Sequence, residues 1–380
     1  MKRILKATAL AASLAMSLPA MAGDRQAIGD VRENAAKQLA ELLDDQTFAA
    51  ALKENLGKQR TPLVDVIRSY RNHDGTAARG DSTAALRDLE RQATRLRGLD
   101  GRIDGLLNLR VLGAHGAART IDPSDFWTAA KTVDATTGQE QLVAFDPDGK
   151  PHRYAMDAIP DVPMLVVDTN SPEATRAGIA MVNETLRDLG LQGPEPDEVT
   201  TGDEDLTVLK EIHLAYDGEH DSVTEGLTRS EVYAIVNGVG HDGKAHVVFK
   251  DMPWLAYDKI WYTPGQDLIN WREFSSNYVG FTLYEKDDTD FKEVASAVAG
   301  AVSQLSAFGG PYALPITVVS GMTKAIIDAM PNRWLRNDDD YLDSFYVIEK
   351  GKDYGTRAKP RKGAANNASI VLEPYTVKGR

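Results

Sequence analysis

Short runs dense in Val, Ile, Phe, Tyr and Trp mark the stretch from Glu231 to Asp290. It reads EVYAIVNGV, HVVFKDMPW, KIWYTPGQDLINW and YVGFTLYEKDDTD, and holds three of the five tryptophans, Trp254, Trp261 and Trp271. Dense β-branched and aromatic residues, in short runs broken by Gly, Asp, Asn and Pro, predict several short strands. LTVLKEIHLAY from Leu206, YLDSFYVIEK from Tyr341 and ASIVLEPYTV from Ala368 share that texture and predict further strands; the basic run Lys359-PRKGAANN between the last two reads as a flexible loop. Two Ala/Val-rich runs, from Phe291 and from Pro315, each long enough for roughly four to five helical turns, are broken by Gly309-Gly310-Pro311. They predict an antiparallel helical hairpin over 291–330.

Before residue 193 the pattern changes. Val31, Ala35, Leu39 and Leu42 recur at helical spacing, Thr61-Pro62 reads as a cap with proline at the first helical position, and Ser82 opens a third, arginine-bearing helix; Asp24 to Leu112 thus reads as helical. QLVAFDPDGKPHRYAM predicts a hairpin around Asp146-Pro147-Asp148-Gly149. MLVV from Met164 predicts a short buried strand, and Ser171-Pro172-Glu173 opens a helix closed by Gly190. Residues 193–205, Pro-bearing and acidic, read as a linker. The expected fold class is α+β: a helical part with a small α/β segment over 23–192, then an antiparallel β-sandwich over 206–380 with the helical hairpin inserted.

Composition adds a compartment. Lys2, Arg3 and Lys6 precede an apolar run from Ala7 to Leu18, too short to span a bilayer, and Ala20-Met21-Ala22 forms a cleavage motif. Residues 1–22 therefore read as a signal peptide, with a secreted or periplasmic chain beginning at Gly23. Loss of three basic residues takes the formal charge from −13 to −16, which argues against nucleic acid as a partner. With no cysteine there is no disulfide, thiolate metal site or cysteine nucleophile. No later run of 18 or more apolar residues suggests a transmembrane segment.

The candidate chemistry lies in acidic turns. Asp287, Asp288 and Asp290 stand where the helical hairpin begins, and Asp338, Asp339 and Asp340 stand where it ends. An antiparallel hairpin returns the chain near its start, so the two clusters should converge. Carboxylates so gathered repel unless a cation sits among them. Ca²⁺ takes six to eight oxygen ligands from flexible loops of this kind. Asp217, Glu219 and Asp221 form a third acidic turn able to join from the same end. The competing reading is plain solvated surface charge.

An acidic loop after one strand, Trp261-Tyr262 and Asn270-Trp271 in the middle, and an Asp-rich loop before a late strand resemble a C2-type β-sandwich over Leu206 to Tyr375. The resemblance implies Ca²⁺ bound by loops at one end; the helical hairpin departs from the ordinary C2 pattern. The chain also resembles an uncharacterised family of secreted bacterial proteins of unknown function, through IPDVPMLVVD, SEVYAIVNGV, LYEKDD and NDDDYLDS. That resemblance brings no catalytic residues.

Other signals are weaker. His213 with His220, and His241 with His246, lack the helical spacing of a zinc motif, and no HExxH, P-loop or GxSxG is present. Ser320-Gly321 falls within an expected helix, and His115 lies in a glycine-flanked turn. Trp261, Tyr262 and Trp271 have the chemistry to stack on a glycan, against the simpler reading as sandwich core. The functional expectation is a secreted protein with a calcium-binding sandwich that serves structure or a partner: a protein, a glycan or a calcium-bridged surface. The alternative is a hydrolase or peptidase-like N-terminal module with an accessory sandwich, for which the sequence offers no nucleophile.

Overall fold

The computed structural model describes residues 23–56, 61–74, 82–113, 120–134, 136–137, 139–169, 172–193, 202–216, 230–285, 290–305, 315–330 and 341–379. The first half contains α1 (Gly23–Leu42), α2 (Gln46–Asn55), β1 (Thr61–Pro62), α3 (Leu63–Asp74), α4 (Ala84–Leu96), β2 (Asn108–Leu112), β3 (Trp127–Val133), β4 (Glu140–Phe145), β5 (Pro151–Ala155), β6 (Met164–Asp168) and α5 (Pro172–Asp188). Asp45 starts α2 by accepting the N–H groups of Thr47 and Phe48, and satisfies donors that the first helical turn leaves open. The strands form one six-stranded sheet in the order β1-β2-β6-β3-β4-β5, antiparallel except where β3 runs parallel to β6. Buried Ala35 and Ala36 let α1 lie close on this sheet, and Thr128 of β3 donates to the Ala36 carbonyl at 2.7 Å.

The sheet corrects the expectation of a helical N-terminal part with a small α/β segment. Thr61 and Pro62 do not open a helix; they pair with Leu109 and Asn108 at the sheet edge, and α3 starts at Leu63. Proline at an edge forfeits no ladder bond. Residues 108–112, expected helical, are strand β2, beside β6. β3 reads WTAAKTV, whose alanines and lysine hide its strand character; its burial comes from α1 and the neighbouring strands rather than from intrinsic preference.

The second half contains β7 (Glu204–Leu214), β8 (Val232–Val239), β9 (Ala245–Asp251), β10 (Trp261–Tyr262), β11 (Gln266–Asn270), β12 (Tyr278–Glu285), α6 (Phe291–Leu305), α7 (Pro315–Ala329), β13 (Tyr341–Glu349), β14 (Arg361–Lys362) and β15 (Ala368–Val377). One sheet runs β10-β7-β15-β14, with β11 also on β7; the other runs β13-β12-β8-β9, all antiparallel. Alternation decides how they meet. Leu209, Ile212, Leu214, Ile370 and Leu372 of the first sheet share a core with Val232, Ala234, Val236, Phe281 and Leu283 of the second. The opposite face of the second sheet, with Tyr233, Ile235, Phe249 and Tyr284, is apolar too and packs under α5, α6 and α7 in the core that continues into the N-terminal half. The β13-β12-β8-β9 sheet is therefore a middle layer, buried on both faces. In coarse class the protein is α+β.

Three polar devices hold these layers in register. α7 settles on Gly280 of β12, where a side-chain Cβ would stand 2.2 Å from the Thr323 hydroxyl. That hydroxyl donates to Asn237 Oδ1 at 3.0 Å, and the Asn237 amide donates to the Val319 carbonyl at 3.3 Å. On edge strand β9, Asn183 of α5 copies a neighbouring strand: its amide donates to the Phe249 carbonyl at 3.0 Å and its carbonyl accepts the Phe249 N–H at 2.9 Å. On β13, the fully buried Asp343 accepts the N–H groups of Ser344, Ala365, Asn367 and Ala368 at 2.7–2.9 Å. The basic run expected as a flexible loop is thus partly strand β14 and partly a turn bound to this carboxylate.

Candidate functional site

The middle sheet has one end where chain segments of both halves come together. β12 stops there at Glu285, opposite Val232, the first residue of β8. β13 starts there at Tyr341, opposite Tyr284. Tyr216, the last described residue after β7, is held beside β13. Its N–H donates to Asn367 Oδ1 at 2.8 Å, the Asn367 amide donates back to its carbonyl at 2.8 Å, and the same amide reaches the Leu342 carbonyl at 3.1 Å. The Asp343 cradle fixes the turn that carries Asn367, so it determines where the chain leaves the sandwich after β7.

Of the expected ligands, Asp217, Asp221, Asp287, Asp288, Asp338, Asp339 and Asp340 lie outside the described residues, as does Glu219. Asp290 is described. It opens α6, accepting the Lys292 N–H on its side chain at 2.8 Å and the Glu293 and Val294 N–H groups on its carbonyl at 3.1 and 3.2 Å. Its side chain lies against the end of α4: a Cβ at Gly98 would come within 2.6 Å of Asp290 Oδ1. The glycine is also in the left-handed region, with φ +68°, where a side chain is strained. Among the described residues no three His, Asp or Glu side chains are gathered closely enough to hold a metal ion.

Beside Gly98 lies a set of buried polar groups that sequence reasoning did not single out. Arg97, 3% exposed, and Arg32 of α1, 7% exposed, both direct guanidinium nitrogens to the Thr169 hydroxyl, at 3.5 and 3.4 Å. Arg110 of β2 pairs with Asp168 at the end of β6. Thr175, in the first turns of α5, donates to the buried carboxylate of Glu231, just ahead of β8. In sequence Arg97 ends an arginine run that reads as a solvated helix face; the packing of α1 on β6 and on α4 turns it and Arg32 inward. Buried guanidinium groups need acceptors around them; Asp290 at the head of α6 lies against Gly98, and the end of the middle sheet holds Tyr341 beside Tyr284. Tyr341 is half-buried there, donor or acceptor to Ser344, and burial pushes its phenol above the usual range.

The other sequence candidates separate. Trp271 is 3% exposed and donates to Thr207 at 2.9 Å, as core. Tyr262 packs on Trp254, and Trp261 packs against His213 with Arg357 over its ring. His241 and His246 do not share a partner. His241 reaches the Arg272 carbonyl, His246 reaches the Glu273 carbonyl and stands 3.5 Å from Asp242, and burial lowers the His246 imidazole below its usual value. Ser320 and Gly321 lie inside α7, and His115 and His220 lie outside the described residues.

An α+β chain with a double-faced middle sheet is the class that this architecture defines. The chain belongs to a family of proteins of unknown function, DUF3103, whose model matches residues 33–380. No curated protein matches it. No solved structure matches it. No helix among the described residues is long and apolar enough to cross a membrane.

Proposed function

We propose that this is an exported protein whose acidic end binds Ca²⁺, as a structural ion or as a bridge to a protein or glycan partner. The observation that carries this reading is the register at one end of the middle sheet, where Tyr284 faces Tyr341 and Glu285 faces Val232. The segments bearing Asp287 and Asp288, and Asp338 to Asp340, start from these neighbouring positions. The segment bearing Asp217 and Asp221 starts at Tyr216 and ends at Ser230, beside the same end. Two antiparallel sheets, with described strand ends flanking the acidic segments, support the C2-type likeness; α6 and α7, between β12 and β13, are foreign to it. Export rests on the n-region, apolar run and cleavage motif of residues 1–22.

A second reading rests on the contact between Gly98 and Asp290. In it, the acidic residues next to Asp290 take their countercharge from the buried arginines rather than from a metal. One experiment separates the two. Thermal unfolding of the mature chain is followed in chelator and in millimolar calcium, beside an Asp288→Asn, Asp339→Asn double variant. Calcium at a hundred times its dissociation constant adds about 2.7 kcal/mol to the wild type, and the double variant loses that gain while its metal-free stability stays equal or rises. Internal pairing gives no calcium gain and a less stable double variant. A melting temperature flat from chelator to millimolar calcium overturns the proposal. N-terminal sequencing of protein recovered from a Gram-negative periplasm tests export: it should begin at Gly23, and a soluble cytoplasmic product retaining Met1 overturns that part.

A further inference from the structure

We propose that Glu90 is a pH-operated latch on the segment joining α4 to β2: it holds the segment shut in acidic surroundings and lets it open as the medium approaches neutrality. The segment, Arg97 to Leu107, is packed into the core by buried Leu99, Leu106 and Leu107, accepts the Leu63 N–H on the Leu107 carbonyl at 2.9 Å, and is held at three further places. At its start Gly98 lies against Asp290 at the head of α6. In its middle Arg102 pairs with Glu184 of α5 at 2.8 Å. At its end the N–H groups of Leu106 and Leu107 donate to Glu90 Oε2 at 2.7 and 3.0 Å. The Arg102–Glu184 pair is at the surface, whereas Gly98 is buried. The third is interior: Glu90 is 4% exposed. Its other oxygen, Oε1, has no hydrogen-bond partner among the described residues and is turned toward Gly105, where a Cβ would lie 3.2 Å from it and 3.0 Å from Val64. Gly98 and Gly101, at φ +68° and +75°, supply the backbone freedom for the segment to swing.

Arg87 lies one turn before Glu90 on α4, and the other charges around the latch are engaged elsewhere. On its own helix Arg91 pairs with Asp88. On α3, Arg68 pairs with Asp65 and lies 3.7 Å from Asp104 of the segment. On α1 Arg32, and at the end of α4 Arg97, are directed to Thr169, while Arg110 of β2 pairs with Asp168. Burial, opposed by the two N–H groups, governs the Glu90 carboxyl and raises it from 4.5 to about 7, with no neighbouring charge among the causes. Opening returns the group to water and to its ordinary value. The closed segment therefore holds a proton that the open one releases between pH 4.5 and 7. The opening equilibrium rises about tenfold per pH unit inside that window and is flat outside it. Because the same segment touches α5 and α6, opening it loosens the contact between the N-terminal helices and the helices over the middle sheet.

Hydrogen exchange of the full mature chain, followed from pH 5 to 8.5 and corrected for the intrinsic pH dependence of each amide, tests this. In the wild type the opening constant reported by Leu106 and Leu107 should rise about fortyfold from pH 5 to 7 and level off above pH 8. Glu90→Gln should abolish that rise while β8 and β12 exchange as before. An opening constant independent of pH between 5 and 7 in the wild type overturns the proposal, and does so even if the variant fails to fold. So does a variant that keeps the wild-type slope.

Discussion

Asp343 accepts four backbone N–H groups without a basic side chain among its described partners. Hydrogen bonds to a charged group contribute roughly 1.5–3 kcal/mol each, and removing the acceptor leaves its buried donors unsatisfied. Asp343→Ala should therefore lower unfolding stability by about 3–5 kcal/mol, the range seen when one buried charged partner is removed. Chemical denaturation measures it, and a loss below about 1 kcal/mol would mean that water replaces the carboxylate. Gly280 makes a different kind of demand. Gly280→Ala drives a methyl into the Thr323 hydroxyl 2.2 Å away, and overpacking of this sort costs about 1–3 kcal/mol. Thr323→Ala should recover part of that loss in the double variant although it is harmful alone; additive losses would show that α7 does not rest on this pair. Neither residue announces itself in the sequence. Asp343 is one acid in YLDSF after three others, and what distinguishes it, a place on a strand facing a turn some twenty residues later, is a tertiary property.

At the scale of elements, the strands of the second half were legible because they are dense in β-branched and aromatic residues and their interruptions are Gly, Asp, Asn and Pro. The two helices after β12 were legible through composition. What was not legible is that the middle sheet is buried twice. EVYAIVNGV and YVGFTLYE are apolar at nearly every position, which fits a strand covered on both faces as well as it fits a noisy alternation. The first-half sheet was under-read because β1 and β2 are short and β3 is rich in alanine. The acidic end was read as a convergence of two clusters, and the described flanking residues belong to one sheet end; the arginine corner beside it stayed hidden because Arg32, Arg97 and Arg110 come from three separate elements. Edge strand β9 gives an element-scale prediction. Asn183→Leu removes both bonds to Phe249 and leaves strand groups open to other chains. It should cost about 1–3 kcal/mol and make light scattering rise with protein concentration on gentle heating; a monomer that scatters no more than the wild type would show that Val247, bonded to the Leu191 carbonyl, closes the edge by itself.

At the scale of the molecule, the proposed boundary at 193–205 and the shared core have a joint consequence. Glu204 and Asp205 belong to β7, so it is the rest of that polar, Pro-bearing segment that should receive the first cuts in limited proteolysis. Yet α5, before it, packs on β9 and α6, after it, with Phe291 set into the space at Gly178. The nicked chain should run as two fragments in denaturant and as one particle without it. First cuts inside Glu231 to Glu285 would refute the boundary, and fragments that part without denaturant would refute the common core.

The place of β15 has a temporal meaning. Synthesis runs from the N-terminus, and β7 at Glu204–Leu214 finds its ten-residue partner only at Ala368–Val377. Until then Leu209, Ile212 and Leu214 belong to a sheet that lacks its own centre, and the turn that Asp343 grips does not yet exist. A ribosome-bound intermediate ending before Ala368 therefore has no closed sandwich to settle into, and the pairing that completes it spans most of the second half of the chain. Such a non-local closing step is slow, so the newborn polypeptide stays pliable, and open to chaperones, until its final strand emerges.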